Sequence, residues 1–125
     1  GNGIRFGTAG EVMIAGEGIE TLLSLRQVMP MIPAIAGTSA AHLAAILFPV
    51  ALRRLYVARD DDPAGAGALA TLTERALPAG IEVLPLEPRL DDFNSDLTAF
   101  GRDRLAATIA AQLRADDVGR FLVPA

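Results

Sequence analysis

At 125 residues with 51% apolar side chains, the chain has the length of one domain and enough material to build a real core. A net charge of −4 and an isoelectric point near 4.8 exclude a domain that grips nucleic acid through a broad basic surface, because such affinity comes mainly from neutralising phosphates. The absence of cysteine excludes disulfides, thiolate metal sites and a cysteine nucleophile, and because all eleven basic residues are Arg, a phosphate-loop or Schiff-base lysine is excluded too.

Residues 1–10 are glycine-rich and patternless apart from Ile4 and Phe6, and read as a lead-in segment. They lack a charged region followed by an apolar one, so secretion is not indicated. The longest apolar run, 43–52, is cut by Pro49 and is too short to span a membrane. The expected location is the cytoplasm. Residues 11–16 form a short apolar strand, followed by Glu17-Gly18 and a helical pattern over 19–29. Gly16 and Gly18 leave room for backbone to approach a ligand. Pro30 and Pro33 end that helix, and 34–36 is a brief buried strand running into Gly37-Thr38-Ser39. Ser39 or Thr38 can cap a helix over 40–47, and the same small hydroxyl turn can donate to a phosphate at a helix N-terminus; both readings stand. His42 is the only histidine. Without a second nitrogen or sulfur ligand, it is an ordinary surface or core residue more often than a metal ligand.

The organising stretch is 55–65, where Leu55-Tyr56-Val57-Ala58 reads as a buried strand that ends in Arg59, three consecutive aspartates and Pro63. Proline suits the first turn of a helix, so the acids occupy a strand-to-helix turn. Alternation along an extended segment lets Asp60 and Asp62 converge while Asp61 points elsewhere. Two carboxylates aimed at one point repel, and a hard divalent cation such as Mg²⁺ or Mn²⁺ removes the conflict. Acids ahead of a helix also serve as an ordinary N-terminal cap. Glu17 holds the same place after the first strand that Asp60 and Asp62 hold after the later one. A helix over 63–77 follows, then a strand over 81–86 that Pro85 and Pro88 place near a sheet edge. The acidic stretch 90–97 reads as a polar turn ahead of an amphipathic helix over 102–115, and 116–125 as an exit tail. Four strands alternating with helices predict an α/β fold: an open parallel sheet of about four strands with helices on both faces.

Three segments in this order resemble the Toprim domain shared by bacterial and phage primases, topoisomerases and some nucleases. Ile14-Ala15-Gly16-Glu17-Gly18 is similar to the family's strand ending in Glu-Gly, Ala36-Gly37-Thr38-Ser39 to the Gly-Thr turn of primase members, and Asp60-Asp61-Asp62-Pro63-Ala64-Gly65 to D-x-D-x-A-G. Asp92-Phe93-Asn94-Ser95-Asp96-Leu97 resembles the acidic segment after the last primase strand. The wording is nearest to plasmid and phage primase or primase-helicase members. The resemblance divides the chain into a lead-in at 1–10, a Toprim-like, Rossmann-like domain at 11–97, and a C-terminal helix and tail at 98–125. It implies Mg²⁺- or Mn²⁺-dependent nucleotidyl transfer or hydrolysis on phosphodiesters, with Glu17 as general acid or base, Asp60 and Asp62 as metal ligands, and Asp92 completing a second metal site. Gly18, Gly37, Thr38, Ser39 and Arg59 are the implied phosphate contacts, and Arg5, Arg53, Arg54 and Arg89 are further candidates for touching a strand. Thr21 and Asn94 stand where primases often have acids. The implied partners are single-stranded DNA and nucleotides, handled within a longer parent protein. The second reading is a non-catalytic module that holds metal or nucleic acid for a neighbouring domain. A phosphoacceptor receiver domain also has acids at strand ends, but its chemistry uses a lysine that this chain lacks.

Overall fold

Short, near-continuous apolar runs make the central strands, and the computed structural model describes residues 4–7, 10–60 and 62–123. In chain order the elements are β1 (Ile4–Phe6), β2 (Val12–Gly16), α1 (Ile19–Arg26), β3 (Ala34–Ala36), α2 (Ala40–Ala44), β4 (Arg54–Ala58), α3 (Pro63–Ala76), β5 (Glu82–Leu86), α4 (Phe93–Phe100), α5 (Arg102–Ala110) and α6 (Ala115–Phe121). The strands form one five-stranded sheet in the order β1-β3-β2-β4-β5, parallel throughout except for β1, which runs antiparallel to β3.

Strand alternation sends side chains to two cores. Ile14 and Tyr56 face one core with Leu22, Leu25, Phe93 and Ile109, which brings α1, α4 and α5 onto that side. Met13, Ala15, Leu55 and Val57 face the other with Leu43 and Leu72, so α2 and α3 cover it. All five β2 residues are buried, as a central strand covered on both faces requires. Among the described residues no helix is long and apolar enough to cross a membrane.

Three expectations are corrected. The expected lead-in supplies a fifth strand, because Ile4, Arg5 and Phe6 pair with Ala36, Ile35 and Ala34 at the edge of the expected open sheet. The expected polar turn contains α4, whose first turn is closed by Asp92 accepting from the Ser95 N–H at 2.7 Å while Phe93 is fully buried beneath it. The expected helix over 102–115 ends at Ala110, and the expected tail is largely a further helix, α6.

A buried polar cluster holds α6 in place. Asp117, 2% exposed, accepts from the Arg54 guanidinium at 2.9 Å and from the Tyr56 hydroxyl, which itself accepts from the Arg114 N–H at 2.9 Å. Arg54 and Arg114 also pair with Glu82 at 2.7 and 2.6 Å. Burial, followed by the Asp117 carboxylate, pushes the Tyr56 phenol up to about 12. This cluster sits where β4 and β5 begin. The turns that carry the acids sit where β2 and β4 end.

Candidate metal centre

Parallel register brings Gly16 alongside Ala58, so the residues following β2 and β4 leave the sheet side by side. Glu17 lies in the turn between Gly16 and Gly18, the residue that precedes α1. After β4 the chain turns sharply, with the Asp62 N–H donating to the Asp60 carbonyl at 2.8 Å. Asp62 then caps α3 by accepting from the Gly65 N–H at 2.6 Å, and Pro63 occupies the first helical turn. Gly65 is required there: a Cβ would lie 2.8 Å from the Asp60 carbonyl oxygen.

Glu17, Asp60 and Asp62 each present a carboxylate oxygen within 4.8 Å of the others. Glu17 and Asp60 are half-buried and Asp62 is exposed. The expectation for Asp61 falls outside the described residues. Burial, then the charges of Glu17, Asp62 and Asp92, push the Asp60 carboxyl up to about 6, against a hydrogen bond from Thr21 that favours its ionised form. Glu17 Oε2 is buried without a hydrogen-bond partner among the described residues. Three hard oxygen donors that repel one another, one of them unsatisfied, fit a hard divalent cation.

Asp92 lies outside this group of three and spends Oδ1 on capping α4, although its charge reaches Asp60. Its loop is anchored by a residue that sequence reasoning passed over. Asp96, 1% exposed, accepts from the backbone N–H groups of Arg89 and Leu90 at 2.7 and 2.8 Å. A second acid four residues after a helix cap was the available signal. Asp60 and Asp92 border a cavity of about 350 Å³ lined also by Gly18, Thr21, Thr38 and Asn94, with Ile19 and Glu20 completing the wall.

The other expected contacts divide. Gly18 and Thr38 line the cavity. Ser39 is engaged in capping, its Oγ accepting from the His42 N–H at 3.1 Å, and α2 is only five residues long. The Gly37 N–H donates to the Gly16 carbonyl at 2.7 Å, which ties the Thr38 turn to the end of β2. Arg59 pairs with Glu87 at 3.2 Å, and its buried Nε has no partner among the described residues. Arg54 belongs to the cluster at the opposite end of β4, Arg53 lies 4.0 Å from Glu11, and Arg89 stacks over Phe100 at 5.1 Å. Arg5 is an exposed β1 residue.

At Gly37 an added Cβ would meet the backbone N and Cα of Leu43 at 2.6 Å, too close for anything but a backbone shift. Gly37→Ala is therefore expected to destabilise the protein by about 2–3 kcal/mol, as overpacking does. Thermal unfolding checks this, and an unchanged melting temperature would show that the turn has slack.

A family model described as the Toprim domain matches residues 12–103. Among solved structures, the chain is similar to a DNA primase domain from Pseudomonas aeruginosa, with a TM-score of 0.57 and 26% identity over 82% of this chain and 33% of that one. It is also similar to the zinc-binding and RNA polymerase domains of the Aquifex aeolicus primase (TM-score 0.56, 22% identity, 82% of this chain and 26% of that one). The primase fragment of the bacteriophage T7 primase-helicase protein gives a TM-score of 0.60 and 22% identity over 83% of this chain and 44% of that one. The two at 22% identity speak to the fold alone. The chain thus spans from about a quarter to under half of the length of these proteins. No curated protein sequence matches it.

Proposed function

The chain belongs to the Toprim domain family and is a primase-like Toprim module, and from that premise we propose that it performs metal-dependent nucleotidyl transfer or hydrolysis within a longer replication protein. The observation that carries this reading is the meeting of Glu17, Asp60 and Asp62 within 4.8 Å where parallel strands end, with Glu17 Oε2 buried and without a hydrogen-bond partner among the described residues. Glu17, Asp60 and Asp62 would hold Mg²⁺ or Mn²⁺, and Asp92 is the fourth carboxylate of the site.

A divalent cation bound there supplies positive charge that lowers the proton affinity of an attacking hydroxyl and steadies the leaving oxygen of a phosphoryl group. The chain's own residues supply the rest. Glu17 is the candidate general acid or base. The cap that Asp62 makes with Gly65 fixes the direction of its carboxylate before any ligand arrives. Thr21 lines the same cavity as Asp60, and Asp96 holds the loop that carries Asp92. Residues 11–97 carry this machinery, and the C-terminal helices brace it.

Single-stranded DNA and nucleotides are the proposed partners. With a net charge of −4 the chain lacks the usual electrostatic source of template affinity, so a productive grip must come from elsewhere in the parent protein. Alone it is expected to bind single-stranded DNA weakly and to make no template-directed product. Incubating it with labelled nucleotides, single-stranded template and Mn²⁺ tests this. Template-dependent oligonucleotides that disappear in Glu17→Gln would show the domain to be self-sufficient. In the parent protein, priming that survives Glu17→Gln together with Asp60→Asn would leave only the non-catalytic binding module.

A further inference from the structure

Among the described residues Thr38 is the one non-glycine residue in the left-handed region, at φ 69°. For a β-branched side chain this is an outlier that persists only where the surroundings over-determine it, and such strain collects at functional sites. Here Gly37 packs against the Leu43 backbone on one side and bonds to the end of β2 on the other. The result of the turn is the placement of the Thr38 hydroxyl. Oγ1 donates to the Gly37 carbonyl at 2.6 Å and lies 3.2 Å from Nδ1 of His42.

A hydroxyl has one proton to give, and the Gly37 carbonyl takes it. Nδ1 of His42 must then be the donor in its contact with Oγ1. The neutral ring is held in the Nδ1–H tautomer with its lone pair on Nε2, and the protonated ring presents Nε2–H. Thr38 is also part of the wall of the acidic cavity, where no lining side chain is basic and Glu20, Asp60 and Asp92 are acidic. Arg75 of α3, against which α2 packs, donates to the carbonyls of Ala44 and Ile46, and Arg59 pairs through Nη1 with Glu87. His42 is exposed and attached to the cavity wall through Thr38.

We propose that His42, with its tautomer set by Thr38, is a phosphate-contacting residue of this site: as the imidazolium it donates Nε2–H to a polyphosphate oxygen of the nucleotide. The inference rests on the reading of the cavity as a site for a phosphate-bearing substrate. Binding to the neutral ring then takes one proton from solvent, which forms the Nε2–H bond, and no bond between heavy atoms changes. Thr38 is the positioning residue, and its strain is what keeps the hydroxyl between the Gly37 carbonyl and the imidazole.

Because His42 is the only histidine, its ring signals are unambiguous in long-range ¹H–¹⁵N correlation spectra of the whole chain. The expected spectra show the Nδ1–H tautomer in the neutral form, retained in Thr38→Ser and lost in Thr38→Gly, which accepts the backbone angle but has no hydroxyl. Inorganic tripolyphosphate with Mg²⁺ is expected to raise the titration midpoint of His42 by about one pH unit, a tenfold gain in proton affinity, and by clearly less in Thr38→Gly. An Nε2–H tautomer in the parent chain overturns the proposal, as does a midpoint that tripolyphosphate leaves unmoved. An equal shift in Thr38→Gly would remove Thr38 from the role. The tautomer is read without metal, so it stands or falls separately from the Mn²⁺ response of the acids, which reports on the proposed function itself.

Discussion

Asp60→Asn is expected to raise the melting temperature of the metal-free protein near neutral pH and to abolish its response to Mn²⁺. The Asp60 carboxyl is pushed from 3.8 up to about 6, by burial first and by neighbouring carboxylates second. The folded state therefore binds a proton that the unfolded state has already released, and stability falls as pH rises between those values. Above about pH 6 the penalty is complete; below 3.8 it is gone. Asparagine cannot ionise, so it removes the penalty. Discounted for solvent screening at this partly exposed group, the gain is about 1 kcal/mol, or about 4 °C in a domain of this size. Mn²⁺ that binds only the folded parent should add about 2.7 kcal/mol at one hundred times its dissociation constant, and the variant should lose most of that. Because metal must displace the Asp60 proton, the parent's response should also weaken as pH falls below about 6. Thermal scans at pH 5 and 8, with and without Mn²⁺, test all of this. A variant that responds to Mn²⁺ as its parent does would take Asp60 out of the metal site.

The second large effect is expected at the other end of the sheet. Asp117→Ala removes the carboxylate that accepts from both Arg54 and the Tyr56 hydroxyl, and so leaves a buried phenol proton without its acceptor and Arg54 with Glu82 alone. Breaking one side of such a cluster costs about 3 kcal/mol, roughly 12 °C here. The neighbouring Asp116 is exposed, and Asp116→Ala should change stability by less than about 0.5 kcal/mol. Equal melting temperatures for the two variants would show that α6 is not fastened to the sheet through this cluster.

These two ends of the sheet differ in how far the sequence reveals them. The acidic end is written locally: an apolar strand, then Glu17 or Asp60 and Asp62, then a glycine or Pro63 opening a helix, all within about ten residues. Strand alternation and parallel register do the rest, and they bring the three carboxylates together. The opposite end is non-local. Asp117 gains its meaning only from Arg54 and Tyr56, some sixty residues earlier, and a short acidic helix without that knowledge reads as a tail. β1 is hidden for the same reason, since Ile4–Phe6 becomes a strand only by pairing with Ala34–Ala36. α4 is concealed differently: its first residues have turn chemistry, and what makes them helical is the Asp92 cap above a buried Phe93. The contact between Thr38 and His42 depends on a single backbone angle that β-branched residues seldom adopt, so no side-chain pattern announces it.

β5 has a consequence for what can be added to this sheet. An outer strand offers a row of free N–H and carbonyl groups to any passing extended chain, and association by that route has to be discouraged. Along β5 the Glu82 N–H points inward to the Arg53 carbonyl, so alternation turns position 85 outward. That position is proline and has nothing to donate. Just beyond it, both polar groups of the Glu87 backbone are taken by one side chain: the Gln112 carboxamide accepts from the N–H at 2.7 Å and donates to the carbonyl at 2.9 Å. Gln112 thus imitates a single residue of a sixth strand and ends the series there. A neighbouring segment of a larger protein, or a second copy of this one, finds no free N–H at positions 85 and 87, so a sixth strand beside β5 is disfavoured.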